Sequence, residues 1–142
     1  MAKQPKQHDR PGVDRMGRTL LHYAASEGNE QEVLRLLKEG SNPNARDDNG
    51  RSPLHCAAQS HLPVIATQLI AAGAEVDALD SNGNSPLSDA VFNSRGNGEL
   101  IAALRVAGAD PSLENSYGVS PVGLARTIGN FDVAQFFKDL PE

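Results

Sequence analysis

Apolar positions along the chain fall into short clusters with polar breaks between them. Leu20, Leu21, Ala24 and Ala25 are followed, after the break Ser26-Glu27-Gly28-Asn29, by Val33, Leu34, Leu36 and Leu37. The second cluster has the three- and four-residue spacing of one helix face and predicts a helix from Glu30 to Lys38. The same alternation predicts later helices from Pro63 to Ala71 and from Glu99 to Val106. A shorter helix precedes each of these, and another follows Ser120. Thr19, Ser52, Ser85 and Ser120 carry hydroxyls suited to the orphan N–H groups of a first turn. Pro53, Pro86 and Pro121 then occupy the position where a missing N–H costs nothing. Glu30 and Glu32 against Lys38 complement the macrodipole of the longer helix. Gly40, Gly73 and Gly108 are placed to end the longer helices in a left-handed conformation. Asn49-Gly50 and Asn82-Gly83 read as tight turns needing positive φ.

These features repeat. Asp14-Arg15-Met16-Gly17 recurs as Asp47-Asp48-Asn49-Gly50 and Asp80-Ser81-Asn82-Gly83 at steps of 33 residues, and as Asn115-Ser116-Tyr117-Gly118 after 35. Helix pairs this short cannot hide their apolar stripes alone, so each copy has to be stacked on the next. The phrases GRTLLHYAASEGN, GRSPLHCAAQSHL, LLKEGSNPNA and LIAAGAEVDA resemble the ankyrin repeat. The resemblance implies an all-α solenoid of about four helix-turn-helix repeats with projecting β-turn fingers. It divides the chain into a mobile N-terminal tail over residues 1–13 and one ankyrin-repeat domain over 14–142, with repeats at about 14–46, 47–79, 80–114 and 115–142.

The copies also depart from one another. Ser88 and then Gly123 replace the histidine of His22 and His55, and His61 stands where copy one has Gly28. Two extra residues in copy three give Asn93-Ser94-Arg95-Gly96-Asn97-Gly98, whose glycines are expected to make a mobile loop. Phe131, Phe136 and Phe137 close the last copy beside Lys138 and Asp139, as suits a terminal repeat whose outer face meets water.

Composition narrows the function classes. The 142 residues are 39% hydrophobic and 22% charged, as in an ordinary globular chain. The net charge of −5 disfavours direct nucleic-acid binding, and no apolar run is long enough for a membrane span. The charge is uneven: residues 1–51 carry nine Lys/Arg against eight Asp/Glu, and residues 52–142 carry four against ten. The basic start lacks an apolar stretch behind it, and Cys56 is a single cysteine, so a cytoplasmic setting is expected.

Catalytic readings are weak. His22 and His55 lack the partners of a zinc site, and the resemblance implies that each bonds to its own turn and the adjacent one. The calcium-loop look of Asp80-Ser81-Asn82-Gly83 fails, because the sixth and twelfth positions are Ser85 and Val91. Cys56 reads as a small packing residue. No catalytic, cofactor-binding or metal site is expected, and no enzyme activity.

The resemblance instead implies that the fingers and the exposed flank of the inner helices bind a partner protein. Position by position, that face offers Arg15, Met16 and Arg18; Arg46, Asp48, Asn49, Arg51 and Gln59; Ser81, Asn82, Asn84, Phe92 and Asn93; and Ser116, Tyr117 and Val119. Arginine forks and aromatics are favoured at interface hot spots. Reversing Arg18 and Arg51 to Glu is expected to weaken binding with little loss of stability. Copies three and four are similar to small bacterial ankyrin proteins, some of which are immunity proteins that neutralise a cognate toxin. The expected function is a non-catalytic inhibitor, monomeric when free, that blocks one partner protein of toxin type. A regulatory adaptor or scaffold that inhibits a kinase or transcription factor is the alternative.

Overall fold

The structure, a computed structural model, describes residues 11–141. Of the tail expected over 1–13, residues 1–10 lie outside it. Seven α-helices follow in order: α1 Leu20–Glu27, α2 Glu30–Lys38, α3 Pro53–Gln59, α4 Pro63–Ala71, α5 Pro86–Phe92, α6 Glu99–Val106 and α7 Pro121–Thr127. A 3₁₀ turn, Ala134–Phe137, closes the described chain. No strand occurs among the described residues. The helices form two layers. In the inner layer α1, α3, α5 and α7 pack in series, and in the outer layer α2, α4 and α6 do the same.

The punctuation read from the sequence sets these elements. The hydroxyls of Thr19, Ser52, Ser85 and Ser120 accept the backbone N–H of His22, His55, Ser88 and Gly123. Pro53, Pro86 and Pro121 each open their helix. Gly40, Gly73 and Gly108 follow the outer helices at φ 97°, 101° and 99°. Leu21, Leu54 and Leu87 fill the space between the layers, opposite Val33 and Leu36, Ile65 and Leu69, and Leu100, Ile101 and Leu104, all essentially buried. Each such side chain contributes about 1.5–3 kcal/mol by leaving water. Ala24, Ala25, Ala57, Ala58 and Ala90, also buried, let the inner helices approach closely.

The fingers are stitched by a backbone ladder. Asp48 N–H donates to the carbonyl of Met16, Ser81 to Asn49 and Ser116 to Asn82, each at 2.9 Å. Within the second finger Gly50 N–H donates to Asp47 and Asp47 N–H to Arg51, so a type I turn leads into a left-handed glycine at φ 73°.

Two expectations change at the C-terminal end. The fourth repeat is incomplete, with α7 followed by the 3₁₀ turn in place of a second α-helix. That turn buries Phe137 and is held by Arg105, which forks onto Asp139 at 2.8 and 2.7 Å and donates to the carbonyl of Phe136 at 3.0 Å. The loop Asn93–Gly98, expected to be mobile, is packed. Ser94 is buried, and a Cβ on Gly98 would fall 2.2 Å from the ring of Phe136. One on Gly96 would fall 3.2 Å from the ring of Phe131. Those glycines admit the terminal aromatics.

Candidate functional site

The two matched histidines act within the scaffold. His22 Nδ1 accepts the backbone N–H of Thr19 at 3.0 Å, which leaves the proton on Nε2, and Nε2–H donates to the carbonyl of Arg51 at 2.8 Å. His55 repeats the pattern one copy later, accepting from Ser52 at 3.1 Å and donating to the carbonyl of Asn84 at 2.8 Å. Burial pushes His55 down to about 4, so it stays neutral. Each imidazole ties the head of an inner helix to the next finger and has no nitrogen left for a metal or a proton transfer. Ser88, at the same slot in copy three, has no such bond; there Asn115 Nδ2 donates to Asn84 Oδ1 at 2.9 Å. Burial also pushes the Cys56 thiol up to about 11, which keeps it un-ionised. No cluster of three or more His, Cys, Asp or Glu among the described residues could hold a metal ion.

Between the fingers and the inner helices lies a groove of about 530 Å³, lined by Arg18, His22, Tyr23, Ser26, Asp47, Asn49, Arg51, Cys56, Gln59, Asp89, Phe92 and Asn93. Its floor is an ion cluster. Arg51 Nη1 donates to Asp80 at 2.9 Å, and its Nη2 donates to Asp89 at 2.6 Å and to Gln59 at 3.1 Å. The Arg51 side chain is only 19% exposed. Asp80 spends its other oxygen on the N–H groups of Asn82 and Asn84, each at 2.9 Å. Burial pushes Asp89 up to about 6 against the pull of Arg51. At the first finger, Tyr23 donates its hydroxyl to Asp14, and Arg18 lies 6.0 Å from the Tyr23 ring centre. The Tyr23 hydroxyl, followed by the N–H groups of Arg18 and Met16, holds the Asp14 carboxyl below its ordinary range. Phe92 stands at the rim, 72% exposed.

Six of the residues singled out from the sequence meet here: Arg18, Asn49, Arg51, Gln59, Phe92 and Asn93. Arg15, Met16, Arg46, Asp48, Ser81, Asn82, Asn84, Ser116, Tyr117 and Val119 do not line it. Ser81, Asn82 and Ser116 lie on the fingers and use backbone groups in the ladder, while their side chains are exposed. Tyr117 and Val119 are exposed on the last finger. Arg15, Met16 and Asp48 are also exposed on their fingers. Arg46 braces the exit of copy two, donating to the carbonyls of Gly50 and Leu79 and to Glu75.

The arginines therefore do not form one cationic cluster. The expectation that reversing Arg51 would spare stability is corrected, since a glutamate there would face Asp80 and Asp89. Tyr23 and Asp89 were not singled out as site residues. The signal was the 33-residue step that joins Tyr23 to Cys56 and Cys56 to Asp89, which puts all three at one slot of the inner helix.

A family model for ankyrin repeats (3 copies) matches residues 3–80 and 21–115. No curated protein matches the chain.

Proposed function

The chain belongs to the ankyrin-repeat family, a protein-protein interaction module, and from that premise we propose that it is a non-catalytic inhibitor that covers a working surface of one partner protein. The open groove beside the fingers carries the reading. It sets an exposed aromatic at its rim over a floor of ordered, nearly desolvated polar groups, the composition of an interface hot spot. The scaffold around it is held by inter-repeat hydrogen bonds, so little order has to be gained on binding. The saturated His22 and His55 and the un-ionised Cys56 argue for binding over catalysis. We take the stack over 14–142 as the functional unit, monomeric when free and cytoplasmic. No helix among the described residues is long and apolar enough to cross a membrane. The partner we favour is a toxin-type effector, on the similarity of copies three and four to small bacterial ankyrin proteins, some of which are immunity proteins.

The test is capture from the native host by wild type and by Phe92→Ala and Asn49→Arg, the latter placing a bulky cation in the groove, at low and high salt, followed by an assay of the captured protein. One stoichiometric, salt-resistant partner that is lost with both variants, and whose activity is abolished by wild type, is the expected result. A partner held equally by the variants removes the groove from the account. Two partners held at once would favour an adaptor.

A further inference from the structure

The floor of the groove has an unfilled valence. Asp89 gives Oδ2 to Arg51, and its Oδ1 accepts no hydrogen bond from any described residue. The acid is not there for the fold: the equivalent slots in the other copies hold Tyr23, Cys56 and Leu124. It faces a groove with an aromatic wall at Tyr23, 39% exposed, and another at Phe92. Four carboxylates, Asp14, Asp47, Asp80 and Asp89, surround the two guanidiniums of Arg18 and Arg51. This neighbourhood is therefore net negative by two charges. On the floor itself the Arg51 fork is taken up by Asp80, Asp89 and Gln59, so an incoming acid would find no open donor there.

We infer that this groove takes an arginine or lysine side chain of the partner, its stem against Tyr23 and Phe92 and its charge on the open oxygen of Asp89. An aliphatic stem covers the aromatic faces, the charge gains both the ring quadrupoles and a charge-assisted hydrogen bond, and the surplus negative charge is neutralised. The upward shift of the Asp89 pKa by burial agrees with this geometry, since a largely buried carboxylate is stabilised in its charged form by a second cation. The inference rests on the groove being the partner-binding site and adds the chemistry of what enters it.

The experiment is an ¹⁵N NMR titration of the full chain with capped Gly-Arg-Gly, its neutral citrulline counterpart and capped Gly-Glu-Gly. Saturable shifts at Tyr23, Asp89 and Phe92 are expected with the arginine peptide. The citrulline peptide should bind about tenfold more weakly, as for loss of one charged contact. Asp89→Asn, which keeps the shape of the side chain, and Phe92→Ala, at an exposed rim position, should each weaken the arginine peptide by a similar factor. Equal shifts with citrulline, preference for the glutamate peptide, or no saturable shift would overturn the inference. So would dilution alone moving the same resonances, which would assign the groove to a second copy of the chain. If the peptides fail while the variants still abolish partner capture, the cation chemistry falls and the groove remains the binding site.

Discussion

At the scale of single residues, two positions cost the fold something that neighbouring copies avoid. His61 stands at φ 55°, where copy one has Gly28 at φ 79°, and both its ring nitrogens are buried without a partner among the described residues. A side chain in the left-handed region costs about 1 kcal/mol, and stranded polar atoms add to that. His61→Gly should raise stability by about 1 kcal/mol or more in urea unfolding; a loss would mean that the imidazole packs better than its nitrogens suggest. Asp89 is the second case. Its pKa rises from 3.8 to about 6 on folding, so the folded state holds the proton more tightly than the unfolded chain. Full stability is present below the unfolded value and declines as pH rises from about 4 to 6. Asp89→Asn should therefore be more stable than wild type at pH 7, by roughly 2–3 kcal/mol, an advantage that vanishes near pH 4. His55 runs the other way. Its pKa falls from 6.5 to about 4, so it withdraws stability as pH falls through that interval and partly masks Asp89 in the wild type. The difference between variant and wild type across pH isolates Asp89, and a flat difference would refute the shift. Neither cost is visible in a residue's own letter. His61 showed in the sequence only as a break in register, and Asp89 only as a departure from Tyr23 and Cys56 at its slot.

At the scale of elements, most of the architecture was legible because it is written locally. A hydroxyl, a proline in three of the four copies, and one or two alanines define an inner helix from nearby residues, and the glycine after each outer helix needs no distant partner to be interpreted. What stayed hidden depends on distance. The groove floor joins Arg51 of the second finger to Asp89 on α5, 38 residues away, and nothing in the periodicity says that this arginine turns inward. The packing of Asn93–Gly98 was hidden for the same reason, since its glycines looked like freedom until Phe131 and Phe136 arrived from the end of the chain. The finger glycines give a controlled comparison of these two kinds of information. Gly83 and Gly118 have nearly the same φ, 79° and 77°. A Cβ on Gly83 would lie 2.9 Å from the backbone nitrogen of Ser116, whereas one on Gly118 would meet nothing. Alanine at Gly118 should cost only the local strain, about 1 kcal/mol. Alanine at Gly83 should cost clearly more, because it also pushes apart the ladder bond between Ser116 and Asn82. Equal losses in chemical unfolding would show that the fingers slide without penalty.

At the scale of the whole molecule, each repeat is held by its neighbours, so damage should spread according to where it falls in the stack. Leu54 is fully buried on α3, which packs against α1 on one side and α5 on the other. Leu54→Ala should remove roughly 2–5 kcal/mol and lower protection across the stack, because the central interfaces share the loss. The C-terminal end is joined differently. The 3₁₀ turn packs on α7, and two arginines attach the segment that contains it: Arg105 of α6 reaches Phe136 and Asp139, and Arg126 of α7 donates to the carbonyl of Pro141. Arg105 also lies 5.2 Å from the Phe137 ring centre, so its removal strips an ion pair, a carbonyl bond and a ring contact together. Because Asp139 is exposed, the ion pair alone is screened and weak. The consequence of Arg105→Ala should be local release, with faster amide exchange over 131–140 and at the C-terminal end of α7 while α3 stays protected. If protection falls equally at Leu54 and Phe137, the stack unfolds as one unit and the terminal turn is an integral part of its cooperativity. If it falls only at the end, the three complete repeats that carry the groove are energetically separable from their cap, and variants of that cap should leave partner binding unchanged.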